Sequence, residues 1–268
     1  MERLKNVGDA LALFLSKIPM VERPRGRISL KTRIIFSFTI LILYFAWGNI
    51  PLFGLSPESL DLFSRWRALF AGQMFSLTAL GVLPIIHASI VLQIVAGPKI
   101  LKFDLANPKD QAFYVNMQKL LVLSFVAFAS YTYTIGFYMP NQNIANQLGV
   151  SLRFISFLLF LQVFIGGMLI YYMEEVVSRW GTGSGVGLFI LAGVSEQLIT
   201  GLMNCFPDES GWPVGVIPRW IQIARQVAPY EIWDGGITFL FQHHVMALIT
   251  TIAIILLVIY LESACIEL

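Results

Sequence analysis

Long runs without a single charge dominate the hydrophobic pattern of this chain. Residues 68–98, 120–152, 154–173 and 237–261 contain no Asp, Glu, Lys or Arg. A helix of about 20 apolar residues crosses the hydrocarbon core of a bilayer. Uniform runs of that length therefore predict membrane spans, where a soluble core would show one-sided stripes. With the apolar runs before Pro51 and after Gly183, six spans are predicted: residues 29–50, 75–96, 111–136, 150–172, 183–203 and 236–261. Pro51 ends the first, and Gly97 and Pro98 stop the second. The expected fold class is all-α, a polytopic membrane protein with six transmembrane helices.

The segments outside the spans read differently. In residues 2–18, Leu4, Val7, Leu11, Phe14, Leu15 and Ile18 share one helical face, with Glu2, Lys5, Asp9 and Lys17 elsewhere. That pattern predicts an N-terminal amphipathic helix lying on the membrane surface, with an ordinary packed helix as the alternative. Residues 52–75 are apolar but interrupted by Glu58, Asp61, Arg65 and Arg67. One charge at a span centre costs about 2.5–3.5 kcal/mol on insertion scales, so this segment predicts a short helix over 60–71 tucked against protein. Residues 140–146 read as a turn. Residues 205–235 hold Pro207, Pro213, Pro218 and Pro229 and read as a polar loop with a short helix over 216–226.

Composition strengthens this picture. The chain of 268 residues is 57% hydrophobic and 13% charged, whereas soluble domains carry about 25% charged residues. The net charge of +2 says little, but its distribution says more. With a cytoplasmic N-terminus, Arg65, Arg67, Arg153, Arg219 and Arg225 lie outside, and the other thirteen Lys and Arg residues lie inside. That asymmetry predicts N-inside topology, with the C-terminus also inside. Cys205 and Cys265 are too far apart in sequence to suggest a disulfide framework or a metal site. The first apolar run has no signal-peptidase pattern behind it and reads as a retained span.

Two stretches carry candidate chemistry. In Leu80-Gly81-Val82-Leu83-Pro84-Ile85-Ile86-His87-Ala88-Ser89-Ile90-Val91-Leu92-Gln93, a proline interrupts a predicted span, and His87, Ser89 and Gln93 form a polar edge. Proline removes a backbone hydrogen bond and is expected to kink the helix. Intramembrane polar groups face protein or water, so packing and function both fit that edge. The second stretch, Glu174-Glu175-Val176-Val177-Ser178-Arg179-Trp180-Gly181-Thr182-Gly183-Ser184-Gly185-Val186-Gly187, has the glycine spacing of a phosphate loop. No strand precedes it and no Lys follows it, so a tight cytoplasmic turn between spans is the better reading.

Together these stretches resemble the SecY family of protein-conducting channels, especially its archaeal branch. Glu22-Arg23-Pro24-Arg25-Gly26-Arg27 before the first span and Gln118-Lys119-Leu120-Leu121 in the third fit as well. Thr182 departs from the aliphatic residue usual in the family. The resemblance runs along the whole chain in order and implies one complete five-span half of a ten-span channel plus the first span of the second half. The implied division is a cytoplasmic segment over 1–28, the five-helix half over 29–204, an extracellular loop over 205–235 and a sixth span over 236–268. By motif position it implies a pore ring at Val82, Ile86, Val186 and Ile190. It implies a plug helix over 60–71, with Leu60, Phe63, Trp66, Leu69 and Phe70, and one wall of a lateral gate with His87, Ser89, Ile90, Gln93 and Gln118. It further implies passage of secretory polypeptides across the cell membrane and release of signal sequences and membrane segments into lipid. The implied partners are a SecE-like single-span subunit, a small third subunit, and a ribosome or motor ATPase engaged through parts outside this chain. No cofactor is expected.

Two other classes compete. Half of an inverted-repeat small-solute transporter would need polar groups converging at the membrane midplane, where the candidates here are aliphatic. An intramembrane protease would need paired Asp, Ser with His, or a His-Glu-x-x-His motif. The histidines His87, His243 and His244 supply no such set, and they suggest no metal site. Glu196, in the fifth span, is expected to face water or a partner.

Overall fold

A computed structural model describes residues 21–22, 24, 26–59, 70–96, 108–207, 211–226 and 245–263. Its helices are α1 (Leu30–Gly48), α2 (Leu83–Ala96), α3 (Pro108–Gly136), α4 (Gln142–Leu148), α5 (Leu152–Trp180), α6 (Gly185–Met203), α7 (Val216–Gln226) and α8 (Val245–Ser263). No named strand occurs among the described residues. Segments of α1, α3, α5 and α6 are long and apolar enough to cross a membrane, while α2 and α8 supply shorter apolar segments. The chain divides after Val194 into two compact units.

In the first unit, α5 is the hub. It packs against α1 and α3, α3 packs in turn against α2, and the short α4 rests on α5. The core combines Tyr44 of α1, Val82 beside α2, Val122 and Val126 of α3, Ile155, Leu159 and Val163 of α5, and Phe189 of α6. Tyr44 and Phe189 stack with ring centroids 5.0 Å apart.

The second predicted span is the main correction. A helix was expected from residue 75, but α2 begins at Leu83 and has 14 residues. Residues 71–82 are turns and irregular backbone instead. Side-chain hydroxyls compete with a helix there. Ser76 Oγ donates to the Gln73 carbonyl at 2.6 Å and pairs with Thr78 Oγ1 at 3.0 Å. The Thr78 amide donates to Ser76 Oγ at 3.2 Å. Gly81 has a φ of +55°, and a Cβ there would lie 1.9 Å from the Phe70 carbonyl oxygen. Only glycine fits that position.

The neighbours answer this irregular backbone. The amides of Leu52 and Leu77 donate to Phe75 and Ile50 at 2.7 and 3.1 Å, and the Val82 amide donates to Phe70 at 2.8 Å. Tyr44 Oη donates to the Ala71 carbonyl at 2.7 Å. Gln162 of α5 both accepts from the Phe53 amide at 2.9 Å and donates to its carbonyl at 3.1 Å. Pro84 therefore falls in the first turn of α2, where its missing N–H would have no intrahelical partner. The expected kink is replaced by a helix start.

Two smaller differences have local causes. Residues 140–146 were read as a turn, yet α4 forms there. Asn141 caps it by accepting from the amides of Asn143 and Ile144, and Gly149 at φ 64° ends it. The fourth span was expected to stop at residue 172, but α5 runs on to Trp180. Arg179 pairs with Glu175 one turn back, at 2.6 Å, so charge continues the helix without breaking it.

In the second unit, the end of α6 is tied to α7. The Asn204 amide donates to Thr200 at 3.1 Å, and the Gly215 amide donates to Asn204 at 2.8 Å. The described exposures in α8 are all high. The N-terminal amphipathic helix over 2–18 and most of the 60–71 helix lie outside the described residues.

Gly166 of α5 meets the 71–82 segment so closely that a Cβ would sit 1.7 Å from the Leu77 carbonyl oxygen. Backbone on both sides prevents relief. Gly166→Ala is expected to destabilise the protein by about 3 kcal/mol, read from thermal unfolding in detergent. Gly136→Ala, where a Cβ meets nothing within 4 Å, is expected to leave the midpoint unchanged.

Candidate functional site

The start of α2 carries the first pair of ring candidates. The Ile86 amide donates to the Val82 carbonyl at 3.1 Å. Val82 thus stands one helical turn before Ile86, as the i, i+4 spacing requires. Val82 is fully buried, while Ile86, Val186 and Ile190 are half-buried and pack against the core cluster to which Val82 belongs. All four are branched aliphatic side chains, the chemistry that closes and dewets a narrow passage. Phe70 joins this region directly through its carbonyl, which accepts from Val82. Of the other plug candidates, Leu60, Phe63, Trp66 and Leu69 lie outside the described residues.

The polar edge of α2 divides in two. His87, Ile90 and Gln93 are exposed on one ridge of the helix. His87 Nδ1 lies 2.9 Å from the Leu83 carbonyl, and its ring stacks on Phe125 of α3 with centroids 5.9 Å apart. Ser89 faces α3, where Gln118 Nε2 donates to its Oγ at 3.4 Å. All five gate candidates are thus on or beside the α2–α3 pair, with only Ser89 and Gln118 in mutual contact among the hydrogen bonds described.

The glycine-rich turn between α5 and α6 is held from several sides. Ser37, buried within α1, accepts from the Thr182 amide at 2.9 Å and pairs with Thr182 Oγ1 at 3.0 Å. Ser178 Oγ donates to Glu174 Oε1 at 2.7 Å and accepts from the Gly185 amide at 3.1 Å. A Cβ at Gly185 would lie 2.7 Å from the Glu174 carbonyl oxygen, so α6 starts hard against the end of α5. The amides of Gly181, Thr182 and Gly185 are thus spent on the protein.

The last turn of α5 also grips the chain that enters α1. Glu175 Oε2 accepts from the Val21 amide at 3.3 Å, Arg179 donates to the Val21 carbonyl, and Trp180 Nε1 donates to the Glu22 carbonyl at 2.8 Å. Beside this grip is a cavity of about 490 Å³ lined by Pro24, Val115, Gln118, Tyr171, Glu174, Glu175, Ser178 and Arg179. Lys119, on α3, is 3% exposed, and its Nζ has no hydrogen-bond partner among the described residues.

Ser37, Lys119 and the Glu175–Arg179 grip were not singled out from the sequence. A serine inside an apolar run was the one available signal for Ser37. Glu196 is half-buried in the second unit, and His243 and His244 lie outside the described residues. Among the described residues no group of three or more His, Cys, Asp or Glu side chains is placed to hold a metal.

Comparison with known proteins gives consistent results. The family model described as SecY matches residues 76–268, and the plug domain of Sec61p matches residues 42–73. The chain is 48% identical to the protein translocase subunit SecY of Archaeoglobus fulgidus over 98% of its own length and 54% of the relative's. It is 38% identical to the corresponding subunit of Methanothermobacter thermautotrophicus, covering 54% of that protein. The chain thus spans about half the length of the curated relatives it matches. Among solved structures, a protein-conducting channel aligns with a TM-score of 0.72 at 29% identity, over 92% of this chain and 51% of the other. Sec61 in a canine ribosome–channel complex from the endoplasmic reticulum aligns at 0.74 and 28% identity, over 95% and 53%.

Ser37→Ala removes both hydrogen bonds to Thr182 and strands a part-buried amide. A loss of about 1–3 kcal/mol is expected in unfolding measurements. Thr182→Val, which keeps the amide bond to Ser37, is expected to cost less.

Proposed function

The chain belongs to the SecY family, and on that premise we propose that it forms the N-terminal part of a channel that passes secretory polypeptides across the membrane. The same channel releases hydrophobic segments sideways into lipid. One observation carries the reading: irregular backbone sealed by α1 and α5 leads from the region matching a plug domain, through Val82, into the helix bearing Ile86. A passive conduit needs such a joint, where a blocking segment meets a constriction without a continuous helix between them.

In this reading Val82 just before α2 and Ile86 within it, with Val186 and Ile190 from α6, contribute to the aliphatic ring at the waist. The 60–71 segment, with Leu60, Phe63, Trp66, Leu69 and Phe70, blocks the funnel beside it. The ridge of His87, Ile90 and Gln93, with the Ser89–Gln118 contact behind it, is one wall of the lateral gate. The opposing wall and the remaining ring members come from the part of the channel that this chain does not span.

The channel performs no catalysis of its own. A ribosome or an ATP-driven motor supplies the driving force, and a SecE-like single-span subunit and a small third subunit complete the assembly. Support for the ribosome comes from the canine Sec61 relative, which is in a ribosome–channel complex. The reading places the channel in the plasma membrane, and the Lys and Arg asymmetry supports its N-terminus in the cytoplasm. A small-solute transporter is disfavoured, because the candidates at the waist are aliphatic and offer no polar binding groups.

Removing the ring side chains should open the resting pore. With the complete channel in planar bilayers, Ile86→Gly and Ile190→Gly are each expected to raise the resting ion conductance, and Val82→Gly with Ile86→Gly to raise it further. Conductance equal to the parent in all three variants would sink the ring assignment.

A further inference from the structure

Helix α7 presents two of its three isoleucines away from the protein. Arg219 and Ile223 are buried, at 7% and 8% exposure, while Ile217 and Ile221 are 48% and 50% exposed. Residues two apart on an α-helix are separated by about 200° around the axis. The two isoleucines therefore lie opposite the buried edge. That edge is anchored by a polar group, since Arg219 Nε donates to the Pro213 carbonyl at 3.0 Å. An ordinary packed helix would bury the isoleucines and expose the arginine.

The exposed apolar surface does not stop at α7. Val214 is 45% exposed and Phe206 is 78% exposed, and the Val214 amide donates to the Phe206 carbonyl at 3.0 Å. Beyond Phe206, the last turns of α6 expose Leu198, Ile199 and Met203. These residues belong to a helix apolar and long enough to cross a membrane. The apolar side of a span thus continues, through Phe206 and Val214, onto Ile217 and Ile221. The Asn204–Gly215 hydrogen bond keeps the start of α7 at the end of that span.

We propose that α7 is an interfacial helix, docked on the lipid surface at the C-terminal end of α6. Ile217 and Ile221 sink into the upper acyl region, and Arg225, one turn after Ile221 on the same exposed ridge, reaches its guanidinium up to the headgroups. Continuity with the apolar side of a span selects lipid over a soluble partner, and an exposed apolar pair opposite a protein-bound polar edge is the pattern of helices lying in the interface plane. The proposal does not depend on the pore-ring assignment.

The test uses the full-length protein in vesicles of phosphatidylcholine and phosphatidylglycerol. Cys205 and Cys265 are first replaced by Ser, because Cys205 is free and exposed. An environment-sensitive fluorophore is then attached singly at Ile217→Cys, Ile221→Cys or, on the flank of the helix, Gln222→Cys. Lipids with a doxyl label high on the acyl chain report burial in lipid, and iodide reports exposure to water. The expected result is a higher ratio of lipid to iodide quenching at 217 and 221 than at 222. Equal ratios at the three positions overturn the proposal, as the stripe then faces water. Failure of both quenchers at 217 and 221 overturns it too, because protein then covers the stripe.

Discussion

A backbone amide inside a bilayer has no water to turn to, so its partner must be protein. The architecture of the first unit depends on meeting that requirement between residues 70 and 82. Helix α2 has 14 residues, which cover about 21 Å, and irregular chain over residues 71–82 leads into it. Ser76 and Thr78 answer its polar groups from within, and Ile50, Phe70 and Tyr44 answer them from outside. Gly166 lets α5 approach the Leu77 carbonyl without a side chain between them. Remove any of these and a polar group is left in an apolar site, at a cost of about 1–3 kcal/mol each.

Run length made most of the fold legible. The first and fifth spans and the 216–226 helix end within two residues of where the apolar pattern and its breakers put them. The start of α2 was not legible from apolarity. Phe75, Leu77 and Leu80 are as apolar as a helix requires, and buried irregular chain needs the same residues. Ser76, Thr78 and Gly81 carried the distinguishing information, since hydroxyls and a positive φ favour turns. Asn141 and Gly149 likewise marked α4 as a capped helix inside a run read as a turn. For the candidate site, the glycine-rich turn stood out locally. Its partner Ser37 lies 145 positions away, and nothing near Ser37 in the sequence announces the contact. Lys119 counts among the inside cations in the sequence, whereas packing of α3 leaves it 3% exposed.

The turn and the entry to α1 share a design. Side chains from one helix hold backbone from a distant segment: Ser37 holds Thr182, and Glu175, Arg179 and Trp180 hold Val21 and Glu22. At Thr182 the hydroxyl is held as well as the amide, whereas at Val21 and Glu22 these bonds reach backbone atoms. The start of α6, with Val186 and Ile190, is located by the same bonds.

A helix that begins in a packed interior also places a dipole there. The N-terminus of an α-helix carries roughly half a positive elementary charge, and that of α2 falls beside the buried Val82. Pro84 softens the cost, because it has no N–H to strand in the first turn. What remains is a fixed field beside Val82, built from peptide groups alone. It needs no ionisable side chain, so it persists at every pH at which the helix is folded.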